Sequence, residues 1–124
     1  MARRVLVIDD VPDILMLATL SLEAAGFIAL TAHDGIEGIE VASTAWPDLI
    51  LCDVHMPQID GFEVLCALRA NAATAGIPFI LLTGDDTVEA RLSELSVPPD
   101  GCLHKPFSHA ELVHTVAAGL GEAA

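Results

Sequence analysis

Short apolar runs alternate with longer stretches of helical period along this chain. Val5-Leu6-Val7-Ile8, Leu49-Ile50-Leu51-Cys52 and Ile80-Leu81-Leu82 are unbroken apolar segments. Three or four residues of continuous hydrophobicity suit a strand buried on both faces. The pattern predicts strands near 3–8, 27–32, 48–52, 77–82 and 101–104. It predicts helices near 12–25, 35–45, 61–71, 87–96 and 109–120. The punctuation agrees. Pro12 suits a helix's first turn, and Gly26 stands where a glycine ends the first helix. Asp34 with Glu37, and Ser108 with Glu111, have the spacing of capping boxes. Asp60-Gly61 fits a turn entering the third helix.

Five β-α units of this kind predict one α/β domain over residues 1–124. The expected architecture is a doubly wound five-stranded parallel sheet with helices on both faces, flavodoxin-like. The common strand order is 2-1-3-4-5, with its switch point between the first and third strands. Ligands bind there, outside the carboxyl ends of the strands.

Polar residues follow the apolar runs at those ends. Asp9-Asp10 follows the first run, Asp53 the third, Thr83 the fourth and Lys105 the fifth. Each alone reads as a turn residue, a helix cap or a solvated lysine. Together at one sheet edge they suit a divalent metal and a phosphoryl group. Clustered carboxylates repel unless a cation compensates. Hard oxygen donors without histidine or thiolate pairs point to Mg2+, with Mn2+ as the alternative. A carboxylate serves as nucleophile in forming an aspartyl phosphate, a lysine neutralises the arriving charge, and a threonine hydroxyl hydrogen-bonds a phosphoryl oxygen.

Composition narrows the partners. There are 18 acidic and 5 basic residues, net −13, with no Lys/Arg cluster, so direct binding to nucleic acid is not expected. The chain is 53% hydrophobic, yet no apolar run reaches the roughly 18 residues of a membrane span, nor the 7–15 of a signal peptide. No membrane insertion is expected. Cys52, Cys66 and Cys102 are odd in number and lack C-x-x-C spacing. They read as small buried apolar residues in a reducing compartment, which points to the cytoplasm. In the first helix, Ile14, Leu17, Ala18, Ser21, Leu22 and Ala25 form the expected core face. Leu15, Met16, Thr19 and Leu20 are expected outward, as an apolar docking surface beside the acidic cluster.

With those residues in place, the chain resembles the receiver domain of bacterial two-component response regulators. The resemblance rests on Val7-Ile8-Asp9-Asp10-Val11-Pro12, on the stretch from Leu49 through Asp53-Val54-His55-Met56-Pro57 and Asp60-Gly61 to Leu65, on Pro78 to Thr83-Gly84, and on Leu103-His104-Lys105-Pro106-Phe107. It runs from about Arg3 to Leu120. It implies that Asp53 accepts a phosphoryl group from a phosphohistidine on a sensor histidine kinase or histidine phosphotransfer protein. Asp10 and Asp53, with the main-chain carbonyl of His55, ligate Mg2+, and Asp9 holds it through water. Thr83 is the switch hydroxyl, Lys105 pairs with the phosphate, and the Lys105-Pro106 bond is cis. His55 and Asp85 flank the phosphoryl group and tune its hydrolysis. His33, His104, His109 and His114 show no ligand spacing.

Two positions depart from the family pattern. Cys102 stands three residues before the lysine, where the family usually has Tyr or Phe. Val97-Pro98-Pro99 follows the predicted fourth helix, where small residues and glycine are usual. A stiffly ended fourth helix and an altered surface before the fifth strand are expected there. The implied function is a phosphorelay switch that presents a binding surface to a downstream protein target, not a turnover enzyme. The alternatives are the receiver portion of a longer regulator with its own output domain, a phosphate-independent binding module, and a phosphohydrolase with an aspartate nucleophile. His55 stands where such a hydrolase usually carries a second acid.

Overall fold

The computed structural model describes residues 2–84 and 98–122. In chain order the elements are β1 (Arg4–Ile8), α1 (Pro12–Ala24), β2 (Ile28–Ala32), α2 (Gly35–Ala45), β3 (Leu49–Asp53), α3 (Gly61–Ala70), β4 (Phe79–Thr83), β5 (Gly101–His104) and α4 (His109–Gly119). The helix expected over 87–96, its end at Val97, and Asp85 lie outside the described residues.

All strand pairs are parallel, in the order β2-β1-β3-β4-β5. The expected doubly wound sheet is therefore the observed one. Every residue of β3 and β4 is buried, which is why those segments read as continuous apolar runs rather than alternating ones. Alternate side chains enter two cores. Leu6, Ile8, Ile50 and Cys52 pack with Ala42 of α2 and with Phe62, Leu65 and Leu68 of α3. On the opposite face Val5, Val7, Leu49 and Leu51 pack with Leu15 and Leu22 of α1 and with Leu112 and Val116 of α4.

Local sequence sets the helix ends. Asp60 and Ser108 form complete capping boxes with Glu63 and Glu111. Asp34 accepts the Glu37 N–H at 2.7 Å, but the Glu37 carboxylate reaches past the cap to His33. Gly26 ends α1 with φ +90°. Its N–H donates to the Glu23 carbonyl, and the Phe27 N–H donates to Leu22. This pair of bonds is the Schellman arrangement, which needs a left-handed residue at the glycine position.

Two expectations are corrected. Leu15 is buried, whereas Leu17 is 58% exposed and Ala25 is exposed. The buried stripe of α1 is Leu15, Ala18 and Leu22. The helix is therefore rotated relative to the predicted face. Ser21 is half-buried and Met16 and Leu20 do point outward. Cys66 is exposed on α3, not buried, while Cys52 is buried and Cys102 partly so.

Candidate functional site

Sheet register brings the polar residues together. Ile8 pairs with Cys52, Asp53 with Leu82, and Thr83 with His104. Asp9, Asp53, Thr83 and Lys105 therefore emerge at one edge, from four neighbouring strands. Backbone bonds extend the ladder past the strand ends: Asp9 N–H to Ala32, Val54 N–H to Leu82 and Lys105 N–H to Thr83. These bonds fix the level at which each side chain leaves the sheet. The Lys105-Pro106 bond is cis.

The side chains meet in a tight cluster. Asp9 is fully buried; its Oδ2 accepts from Lys105 Nζ at 2.8 Å and its Oδ1 from the Val11 N–H at 2.9 Å. Lys105 Nζ also lies 3.1 Å from Asp53 Oδ1. Carboxylate oxygens of Asp9, Asp10 and Asp53 all lie within 4.8 Å of one another. Asp10 faces solvent, Asp53 is 6% exposed and Thr83 is buried. His55 is exposed in the loop after β3. All six expected residues thus belong to this edge or its first loop.

The charge balance is unfavourable for the carboxylates alone. Burial, then the charge of Asp9, pushes the Asp53 carboxyl above the usual range, and Lys105 only partly offsets this. Burial works against the Lys105 ammonium, but its bond to Asp9 and the charge of Asp53 win, so its pKa lies above the ordinary lysine value. Burial and the same carboxylates push the Cys52 thiol well up, which keeps it a neutral core residue. Three carboxylates face one ammonium. A divalent cation supported by hard oxygen donors matches that deficit, and the donor set fits Mg2+ better than zinc.

Two structural roles go beyond the sequence pattern. Gly61 reads as a turn residue, but a Cβ there would lie 2.5 Å from the Asp53 carbonyl oxygen and 3.0 Å from the Val54 Cα. Its N–H donates to the Val54 carbonyl at 2.9 Å. The start of α3 therefore packs directly on the end of β3, and only glycine permits that approach. The Asp60-Gly61 dipeptide is the signal that marks it. Second, Lys105 is engaged by Asp9 as well as Asp53, so Asp9 anchors the lysine as well as adding charge. Nothing in residue spacing indicates that contact.

Comparison with known proteins places the chain. The family model described as the response regulator receiver domain matches residues 5–117. The transcriptional regulatory protein PrrA of Mycobacterium tuberculosis is 40% identical over 115 residues, 93% of this chain and 48% of PrrA. The DNA-binding dual master transcriptional regulator RpaA of Synechocystis is 38% identical over the same shares. The chain spans about half the length of the curated relatives it matches. Among solved structures, the chemotaxis response regulator CheY4 of Vibrio cholerae is 32% identical with TM-score 0.89, covering 96% of this chain and 99% of that one. The receiver domain of the sensor histidine kinase PA1611 of Pseudomonas aeruginosa was solved with magnesium coordinated in its active-site cleft. It is 26% identical with TM-score 0.88, covering 98% and 100%. A doubly wound sheet in the order 2-1-3-4-5 with an acidic cluster and a lysine at its switch point, matched by the family model over nearly its whole length, identifies this chain as a member of the response regulator receiver domain family.

Proposed function

We propose that residues 1–124 form one receiver module of a phosphorelay, in which Asp53 accepts a phosphoryl group from a phosphohistidine. The observation that carries this is Asp53 itself: a buried carboxylate ending β3, held 3.1 Å from Lys105 and within 4.8 Å of two further carboxylates. An Asp53 carboxylate oxygen forms the new O–P bond as the P–N bond to the donor imidazole breaks. Lys105 neutralises the phosphoryl oxygens as they arrive, and Asp9 keeps that ammonium aimed at the site. The Thr83 hydroxyl turns to a phosphoryl oxygen once one is present, which starts the change passed to a downstream protein target. Mg2+, or Mn2+ in its place, would be held by Asp10, Asp53 and the His55 carbonyl, with Asp9 acting through water. It would offset the negative charge of phosphate and carboxylates together. The module assists its own phosphorylation and dephosphorylation and turns over no separate substrate. It is proposed to work in the cytoplasm; among the described residues no helix is long and apolar enough to cross a membrane.

Trapping the phosphorylated residue tests this assignment. After treatment with phosphoramidate and Mg2+, borohydride reduction should convert position 53, and no other aspartate, to homoserine. Reduction at Asp9 or Asp10 instead would overturn it.

The donor, a sensor histidine kinase or histidine phosphotransfer protein, is proposed to meet the outward face of α1. Leu17 and Leu20, 58% and 62% exposed, lie on that face. Leu17→Glu with Leu20→Glu should slow transfer from the donor while leaving phosphorylation by phosphoramidate unchanged. A second reading is favoured by length: PrrA and RpaA are about twice as long as their matched portion, so this chain fits the receiver portion of a longer regulator equally well. Any nucleic-acid contact is then proposed to lie outside these residues, whose net charge is −13.

A further inference from the structure

A cleft of about 280 Å3 lies between α1 and β2, lined chiefly by Leu15, Met16, Thr19, Leu20, Thr31 and His33. Leu20 belongs both to this cleft and to the proposed donor-docking face, whereas Leu17 lies on that face alone. Met16 is 65% exposed and Leu20 62%. The cleft is smaller than the roughly 300 Å3 at which small-molecule sites begin, and it has room for one large apolar side chain.

The strand beside it is an open sheet edge. Among the described residues, β2 pairs only with β1. The Ile28 N–H donates to Arg3, and the Ala32 carbonyl accepts from Asp9. Ile28, Leu30 and Ala32 therefore turn their backbone groups inward to β1. Strand alternation turns those of Ala29 and Thr31 to the open side. The strand reads Ile-Ala-Leu-Thr-Ala, without the charge or proline that ordinarily closes an edge to further strands.

Charge selects what fits. Asp13 and Glu23 are exposed on α1, and the Glu37 carboxylate lies 3.2 Å from the His33 ring in the cleft wall. Among the described residues, no lysine or arginine lines the cleft. Arg3 is engaged by Asp48 and Glu122, Arg69 by Asp100, and Lys105 by the phosphoacceptor site. A second copy would set a net charge of −13 against its equal, which disfavours self-association.

We propose that the α1–β2 cleft binds a cationic extended segment of a partner protein, which adds as a strand to the edge of β2 and seats one apolar side chain against Met16 and Leu20. Main-chain bonds to Ala29 and Thr31 supply the pairing, and the pocket supplies side-chain selection. This surface is separate from the phosphoacceptor residues and does not depend on their assignment.

The probe is a synthetic heptapeptide, Lys-Val-Lys-Leu-Lys-Val-Lys, titrated into the isotope-labelled protein by amide NMR. Saturable shifts are expected at Ala29, Thr31, Met16 and Leu20. Met16→Ala with Leu20→Ala should weaken binding about tenfold or more, and Leu17→Ala should not. Thr31→Pro removes a donor from the open edge without touching the β1 ladder, and should weaken binding comparably. The same peptide N-methylated at alternate residues tests strand addition on the unaltered protein and should not bind. A peptide with glutamate for lysine should not bind either. No saturable shift up to about 1 mM, shifts on another surface, dimerisation without peptide, or undiminished binding of the N-methylated peptide would each overturn the proposal.

Discussion

At the residue scale, Asp53 pays for its position. Burial and the neighbouring Asp9 raise its pKa more than Lys105 lowers it. A group with a raised folded-state pKa favours folding fully below its unfolded pKa, and that contribution is lost as pH rises through the folded value. The ionised Asp53 carboxylate therefore destabilises the metal-free fold at neutral pH. Asp53→Asn should raise the melting temperature at pH 7 in EDTA, and the advantage should shrink as pH falls through the raised pKa of Asp53. Thermal melts of both proteins across that range check it; a variant less stable than the parent at pH 7 would show that Lys105 outweighs the cost. Asp9, Asp10, Asp53, Thr83 and Lys105 are legible in sequence because each follows an apolar run, and a parallel sheet brings such positions to one edge. The Asp9–Lys105 contact is not legible, because it joins residues 96 positions apart through side-chain geometry alone.

At the scale of elements, α1 shows where pattern reading stops. Its sequence, Pro-Asp-Ile-Leu-Met-Leu-Ala-Thr-Leu-Ser-Leu-Glu-Ala, is apolar nearly all round. Little polarity contrast exists to say which side faces the sheet, so two rotations of the helix bury comparable apolar surface. Packing against Val5, Val7 and α4 decides for Leu15 over Leu17. Leu15→Ala should cost about 2–4 kcal/mol, as for a buried leucine, and Leu17→Ala about 0.5 kcal/mol or less. Denaturant unfolding of the two variants separates the rotations, since equal losses would mean that both residues are buried. The strands show the opposite case. β3 and β4 are buried throughout, so their continuous hydrophobicity carries a clear signal. The capping residues Asp60 and Ser108 are equally local, and the structure uses both.

At the scale of the whole molecule, the chain carries a net charge of −13, and the fold brings three of its carboxylates together at one edge. Screening by salt relieves the general repulsion, whereas a bound divalent ion acts at the cluster. Mg2+ should raise the melting temperature steadily once it exceeds its Kd, with about 2.7 kcal/mol of added stability at a hundredfold excess. NaCl of equal ionic strength should give only a smaller rise. Because protons compete for Asp53, the apparent Mg2+ affinity should fall as pH drops through its raised pKa. Asp10→Asn should weaken the Mg2+ response; an unchanged response would place the ion elsewhere. β-α alternation predicts a doubly wound sheet, and the order common for five strands, which the structure has, puts the switch point where the carboxylates gather. That order also puts β2 at an edge, but the cleft beside it is not legible, because its walls depend on how α1 is rotated on the sheet.

The most direct test of phosphoryl acceptance is intact mass after incubation with acetyl phosphate and Mg2+. A gain of one phosphoryl group is predicted for the parent chain, and no gain for Asp53→Ala or in EDTA. A folded parent protein that gains nothing, or an Asp53→Ala variant that still gains one group, would contradict the assignment of Asp53 as phosphoacceptor.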